Sequence, residues 1–281
     1  MFPAQLTIEG LLSLLGDKII DFLNTGANQH SEIKACSIAR SINQLLREVW
    51  QREGENEDKI RKFLWRLWNL IISIASRTQH DDERLDMLVM ILKRLRDIRS
   101  DLTLLSFGMA QVWGDMPLLG ECLREAANSS FMTAPSSSPA KWISLQSLFA
   151  HLYGQGITQR TDLAIWVLRD GLEEELPPPG SAHDAMLEGI TETLTEPEIL
   201  LLRVGKLAVG MEPGVTEDRW AFWLQRLRFL GEQSNWGMRQ KVEDAVRVMI
   251  RLEEEQAWRK AQELKQIRHQ LVHDWLAGVD P

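Results

Sequence analysis

The residues with the clearest chemical potential lie in one central stretch of the sequence, from Trp142 to Glu173. His151 and Tyr153 fall near the end of one expected helix, and Arg169 falls on the next. An imidazole, a phenol and a guanidinium can together polarise a carbonyl group that is held away from water. We therefore predict that His151, Tyr153 and Arg169 are catalytic residues.

A second group of residues could line the pocket around them. The chain has 11 Trp, 8 Phe and only 1 Tyr. Trp is large and apolar and carries a single N–H donor, so it suits both the wall of an apolar cavity and ordinary helix packing. The residues that we predict to bind substrate are Trp113, Trp142, Phe149, Trp166, Asp170, Glu173, Trp220 and Trp223. The alternative for each Trp is core packing, and for Arg169 and Glu173 it is an ion pair one helical turn apart.

Motifs for metal, covalent or nucleotide chemistry are missing from the sequence. His269 and His273 share a helix face, but neither His-Glu-x-x-His nor Glu-x-x-His accompanies them. Asp81, Asp82 and Glu83 resemble the acidic motif of terpene cyclases superficially, yet they precede a helix as capping groups and no second acidic motif follows. A G-x-S-x-G elbow and a Gly-rich phosphate loop are both absent. We predict no metal and no cofactor.

Helices must position these residues, because apolar side chains recur at three-to-four spacing in four successive segments. The segments run from Leu11 to Leu23, Ile38 to Val49, Ile60 to Ile74 and Leu85 to Ile98. No stretch alternates apolar and polar residues, so no sheet is expected. The last segment, from Met238 to Leu276, contains no Pro or Gly and predicts one helix of about 60 Å.

Breaks in the helical pattern define the expected organisation. Residues 128–139 are rich in Ser and Pro and predict a surface loop, and residues 177–180 and 210–216 are further Pro- and Gly-containing breaks. We predict one all-α domain over residues 1–281, a compact array of about ten helices that ends in the long C-terminal helix. The N-terminal helical half is residues 1–127, and the C-terminal helical half is residues 140–281.

Composition excludes several classes of protein. The net charge of −8 is unfavourable for binding a nucleic acid or an anionic membrane surface. Two cysteines do not form a disulfide framework, and the most apolar run is shorter than a membrane span. The start of the sequence lacks the basic segment of a secretory signal, so a cytoplasmic location is expected.

Three segments carry a family resemblance. Residues 113–117 read WGDMP, residues 164–173 read AIWVLRDGLE, and residues 220–223 read WAFW. In this order they resemble a fungal family, the domain of unknown function numbered 3632, over roughly Trp113 to Glu254. The resemblance implies an all-helical fold, a fungal source and a place near secondary-metabolite pathways. It implies no established reaction and assigns no catalytic residue.

Two functions agree with these observations. The first is a cofactor-independent cyclase or pericyclase, similar to a Diels–Alderase, that holds a hydrophobic fungal metabolite precursor in an aromatic-lined helical pocket. The second is a non-enzymatic helical interaction or regulatory protein, with a possible homodimer through the C-terminal helix. An enclosed Trp-lined cavity would favour the first, and a solid core with an exposed apolar strip would favour the second.

Overall fold

The computed structural model describes residues 7–99, 102–132, 139–158, 165, 168–169, 171–173, 187, 190–191 and 217–276. The elements with defined bounds in this part of the chain are α1 (Ile8–Leu23), α2 (Ser31–Arg52), α3 (Glu57–Ala75), α4 (Arg84–Arg96), β1 (Thr103–Leu104), β2 (Ala110–Gln111), α5 (Leu119–Met132), α6 (Pro139–Gly154), α7 (Glu217–Gln233) and α8 (Trp236–Leu276). The expected helical class is therefore correct. The larger number of helices that we expected is not reached among the described residues.

The first four helices follow the predicted apolar stripes. The Thr7 hydroxyl accepts a hydrogen bond from the Gly10 amide at 3.3 Å and begins α1, and the Asn56 side chain accepts one from the Asp58 amide at 2.9 Å and begins α3. The residues at this spacing, such as Leu15, Ile42 and Leu67, are buried, and Ile98 at the end of the fourth stripe is half-buried. Leu14 and Ile20 lie off the stripe of α1 and are exposed. Each buried Leu or Ile contributes about 1.5–3 kcal/mol, so these faces hold the helices together.

Helix α4 is central to the site because it contacts both α2 and α6. Its core face is formed by buried residues such as Leu88 and Leu92. Asp86, Met90 and Lys93 follow one another at i, i+4 and i+7, so they share a different face of the helix. That face meets the ends of α2 and α6 and carries polar groups into the cleft described below.

Two hydrophobic clusters form the described core. The first is built from α1 to α6, and the second contains Ile165, Leu168, Leu172, Leu187 and Ile190 together with residues of α7 and α8. Helix α6 contributes to both: Leu148 and Phe149 pack into the first cluster, and Trp142 packs into the second. Helix α6 therefore links the two clusters.

A short antiparallel sheet corrects the expectation that the chain has no strands. Thr103 pairs with Gln111 and Leu104 pairs with Ala110, with a 3-10 turn between the two strands. Two-residue strands are too short to produce a pattern of alternating residues, which explains why the sequence did not reveal them. The Glu57 carboxylate of α3 accepts hydrogen bonds from the amides of this turn.

Helix α5 extends into the segment predicted as a surface loop. It continues to Met132, so residues 128–132 are helical rather than part of the Ser/Pro loop. The physical reason is that the first Pro after the helix start is Pro135, and Ser and Asn weaken a helix without ending it. The Pro-rich breaks at 177–180 and 210–216 lie outside the described residues.

Helices α7 and α8 form a hairpin, and α8 is the single long helix that the sequence predicted. It has 41 residues, against 17 in α7. A Cβ atom at Gly231 would lie 2.6 Å from Val242, so the absence of a side chain allows the two helices to approach closely. Across the described residues, none of the helices combines the length and apolarity that a membrane crossing requires.

Candidate active site

A cleft of about 360 Å³ lies where α2, α4 and α6 meet. Six of its eight lining residues are polar or charged, and Val89 and Met90 supply an apolar part. The lining residues are Glu32, Asp86, Val89, Met90, Lys93, Arg94, His151 and Gln155. One of them, His151, is a predicted catalytic residue.

His151 faces a carboxylate in this cleft. Its Nδ1 atom lies 3.4 Å from Asp86 Oδ1, and its side chain is 22% exposed whereas that of Asp86 is 72% exposed. Burial lowers the pKa of His151, and the Asp86 charge opposes that shift without cancelling it. The imidazole is therefore neutral at neutral pH, the form that can accept a proton.

Cationic groups occupy the other end of the cleft. Lys93 Nζ donates a hydrogen bond to Gln155 Oε1 at 3.0 Å. Arg94 forms an ion pair with Glu32 and a second, at 3.3 Å, with Asp97. The cleft therefore combines a neutral imidazole with the Lys93 ammonium, which can stabilise negative charge that develops on a bound molecule, whereas the Arg94 guanidinium is already paired with two carboxylates.

The three predicted catalytic residues do not meet in this cleft. Tyr153 is two positions from His151 on α6, so it points in another direction, and it is buried. Arg169 lies near Glu173, where its positive charge helps to lower the pKa of that carboxylate. Of the three, only His151 lines the cleft.

Glu173 forms a separate polar cluster with α7. Its carboxylate accepts hydrogen bonds from Arg219 at 2.5 and 3.2 Å and from the Trp223 indole at 2.6 Å. Burial acts to raise the pKa of Glu173, but the hydrogen bonds from Arg219 and Trp223 and the charges of Arg219 and Arg169 outweigh it, so the pKa is lowered. The Arg219 guanidinium also lies 5.0 Å from the centre of the Trp223 ring. This cluster joins the helical segment at Glu173 to α7.

The described Trp residues of the predicted pocket lie in the core. Trp113 is fully buried, packs edge-on against Trp68 at 6.3 Å and donates its indole N–H to Asn43 at 2.8 Å. Trp220 and Trp223 are also fully buried and lie 6.5 Å apart. The core-packing alternative therefore describes all three.

The remaining predicted substrate-binding residues have different positions. Trp142 and Phe149 are buried on α6, in the second and first clusters respectively. Trp166 and Asp170 lie outside the described residues. Among the residues that the structure describes, no predicted aromatic residue lines the cleft that contains His151.

The acidic run before α4 has a structural role. Asp82 accepts a hydrogen bond from the Arg84 amide at 2.9 Å and pairs with the Arg84 side chain, and this pairing lowers the pKa of Asp82. Glu83 accepts a hydrogen bond from the Ala27 amide at 2.9 Å. In the part of the chain that the structure describes, no group of three His, Cys, Asp or Glu residues is arranged to hold a metal ion.

One known protein family matches the part of the chain that contains most of this cleft. Residues 68–227 match the family described as "Protein of unknown function (DUF3632)", which is more than half of the chain. The chain belongs to this family. The match confirms the family that the three sequence segments resemble. Searches of curated proteins and of solved structures found no match.

The matched region contains most of the cleft. Asp86, Lys93 and His151 fall inside it, and Glu32 on α2 precedes it. Glu32, Asp86 and Lys93 are not among the residues predicted from the sequence. No local signal marks them, because isolated charged residues on amphipathic helices are ordinarily solvent-facing. Only the packing of α2, α4 and α6 brings them to His151.

Proposed function

We propose that this protein is a cofactor-independent cyclase in which His151 acts as a general base. The observation that carries the proposal is the His151–Asp86 pair at 3.4 Å in a cleft of about 360 Å³. A carboxylate next to Nδ1 favours the tautomer with a proton on that nitrogen, which leaves Nε2 as the proton acceptor. The lowered pKa of His151 supports this role.

The proposed reaction is an intramolecular aldol addition. The imidazole removes a proton next to a carbonyl group, and the resulting enolate carbon attacks a second carbonyl carbon of the same molecule. A carbon–carbon bond forms, the second carbonyl π bond breaks, and the imidazolium returns its proton to the new alkoxide. The net change is an isomerisation, so no oxidant or reductant is consumed. Lys93 would stabilise the enolate or a carboxylate on the substrate.

The lining of the cleft indicates the substrate class. Val89 and Met90 can contact a short apolar body, and the charged residues suit a polar or anionic end. We propose a small carbonyl compound of this kind, processed in the cytoplasm. The family resemblance supports a place in fungal secondary metabolism. A pericyclic reaction receives less support, because the described Trp residues that could have shaped its pocket are core residues.

Two probe molecules test the proposal. In D2O, 5-oxohexanoate reports exchange of protons next to the ketone by NMR, and 2,6-heptanedione reports ring closure. We expect both rates to exceed those in buffer. General base catalysis contributes roughly 100-fold or more, so His151→Gln should lose most of the gain.

The matched control is His30→Gln, because His30 is an exposed histidine that precedes α2 and does not line the cleft, although it is only two residues before Glu32. It should retain the wild-type rates. Equal rates for wild type and His151→Gln would contradict the proposal, as would the absence of any rate above buffer with both probes.

A second candidate function is self-association through the α7–α8 hairpin. Phe222 and Phe229 of α7 are 48% and 47% exposed, and they lie seven residues apart on one helix face. Exposed aromatic pairs are common at helix-mediated interfaces. Here the partner would be a second copy, related by a two-fold axis.

Sedimentation velocity of the full chain, of Phe222→Ser/Phe229→Ser and of a chain ending at Leu252 tests this candidate. A dimer that is lost in the double variant would support it. A monomer for the full chain at high concentration would exclude it.

A further inference from the structure

A second groove, away from the His151 cleft, lies between α3 and the loop that precedes α5. Its volume is about 470 Å³. The residues that line it are Asp58, Arg61, Lys62, Trp65, Arg66 and Leu118. Neither proposed function uses any of them.

Trp65, in the apolar part of the groove, is far more exposed than the next Trp of the same helix. Trp65 is 37% exposed, whereas Trp68, one turn later, is fully buried and donates its indole N–H to the Pro117 carbonyl at 2.9 Å. Leu118 follows Pro117 with φ of 70°, in the left-handed region that is uncommon for a residue with a branched side chain. The hydrogen bond from Trp68 holds this loop against α3, and Leu118 thereby forms the second apolar wall beside Trp65.

The rim of the groove is cationic. Arg61, Lys62 and Arg66 supply three positive charges, against the single negative charge of Asp58. This local excess contrasts with the net charge of −8 for the whole chain. A positive rim around an exposed indole attracts anions to an aromatic surface.

The three cations differ in how strongly they are already engaged. Arg61 pairs with Asp58 at 3.6 Å and lies 5.4 Å from the centre of the Phe107 ring, and Arg66 pairs with Glu9. Lys62 has no ion-pair partner among the residues that the structure describes. Its ammonium group is therefore the one available to a ligand.

We propose that this groove binds a small aromatic carboxylate. The ring packs against Trp65 and Leu118, and the carboxylate pairs with Lys62. Aromatic stacking supplies the apolar contact, and the charge pairing selects an anion over a neutral molecule of the same shape.

Isothermal titration calorimetry with 1-naphthoate tests the proposal, and 1-naphthylmethanol is the uncharged comparison. The variants are Trp65→Ala and Lys62→Ala, with Trp236→Ala as the matched control because Trp236 is 78% exposed and does not line the groove. Circular dichroism confirms that each variant is folded. Because Trp65 is partly exposed, its replacement does not open the core. Trp65→Phe is a conservative variant that keeps an aromatic ring at this position.

We expect naphthoate to bind the wild type more tightly than the alcohol and to bind Trp65→Ala at least tenfold more weakly. Lys62→Ala should weaken binding about threefold to fivefold, and added salt should reduce that difference. Trp65→Phe should retain part of the affinity. The proposal is wrong if naphthoate does not bind the wild type, if the alcohol binds equally well, or if Trp236→Ala weakens binding as much as Trp65→Ala.

Discussion

Replacing Glu173 with alanine should destabilise the protein more than the loss of one ion pair would suggest. Glu173 is the acceptor for both Arg219 and the Trp223 indole, and Trp223 is fully buried. A buried N–H that loses its acceptor costs about 1–3 kcal/mol. The Arg219 pair adds about 1 kcal/mol, since its side chains are 21% and 28% exposed and water screens them in part.

The expected total for Glu173→Ala is therefore about 2–4 kcal/mol, which corresponds to a fall of about 5–10 °C in the melting temperature. Glu173→Gln should cost less, about 1–2 kcal/mol, because its amide oxygen can still accept the Trp223 hydrogen bond. Differential scanning calorimetry and urea unfolding measure both values.

The matched control is Asp244→Ala on α8. Its ion pair with Arg247 joins side chains that are 56% and 68% exposed, so the change should stay within about 0.5 kcal/mol. Equal destabilisation by Glu173→Ala and Asp244→Ala would refute the reasoning, because the buried indole would then not depend on its acceptor.

The pH dependence gives an independent check on Glu173. Its pKa is lowered in the folded protein, so its contribution to stability is fully present above the unfolded value of about 4.3. That contribution is lost as the pH falls through the lowered pKa. The difference in unfolding free energy between wild type and Glu173→Gln should shrink in that range, and a difference that grows on acidification would contradict the assignment.

Four further changes test other parts of the structure. The pKa of His151 is lowered by burial, so stability should fall as the pH drops below the unfolded value of about 6.5, and His151→Gln should flatten this profile in urea titrations at each pH. Glu57→Gln should lower the protection factors of the turn amides that Glu57 holds, and the protection factors of the wild type should fall in the same way once the pH drops through the lowered pKa of Glu57. Burial raises the pKa of Cys122 to about 12, so iodoacetamide should label Cys36 far faster in the native protein, as peptide mass spectrometry would show. Gly231→Ala should destabilise the α7–α8 hairpin by about 1–3 kcal/mol in thermal unfolding.

Each of these has a result that would count against it. Unchanged pH profiles for His151→Gln, equal exchange rates for Glu57→Gln, or rapid alkylation of Cys122 would show that the local environment differs from the one described. A stabilising Gly231→Ala would show that the two helices can separate slightly without loss, and that the entropy of the unfolded chain dominates.

The sequence determined the helices of this protein. Apolar residues at three-to-four spacing are a local property, and each such face must be buried somewhere, whichever partner covers it. The stripes from Leu11 to Ile98 are accordingly buried or half-buried. The long final helix was equally predictable, because no Pro or Gly interrupts it between Met238 and Leu276. Local rules were weaker at boundaries, as α5 shows by continuing to Met132 through Ser and Asn residues.

Only the tertiary structure decided which residues meet. Trp113, Trp220 and Trp223 could have lined a pocket, yet helix packing buried all three. The indole N–H groups of Trp113 and Trp223 have acceptors in Asn43 and Glu173, and an indole with an acceptor suits a core as well as a pocket wall. Asp86 has no feature that marks it in the sequence, and it reaches His151 because α4 packs against α6. The spacing of apolar residues in the sequence reveals which face of a helix is buried. Which helix packs against that face depends on the packing of the whole chain, and no local sequence pattern contains that information.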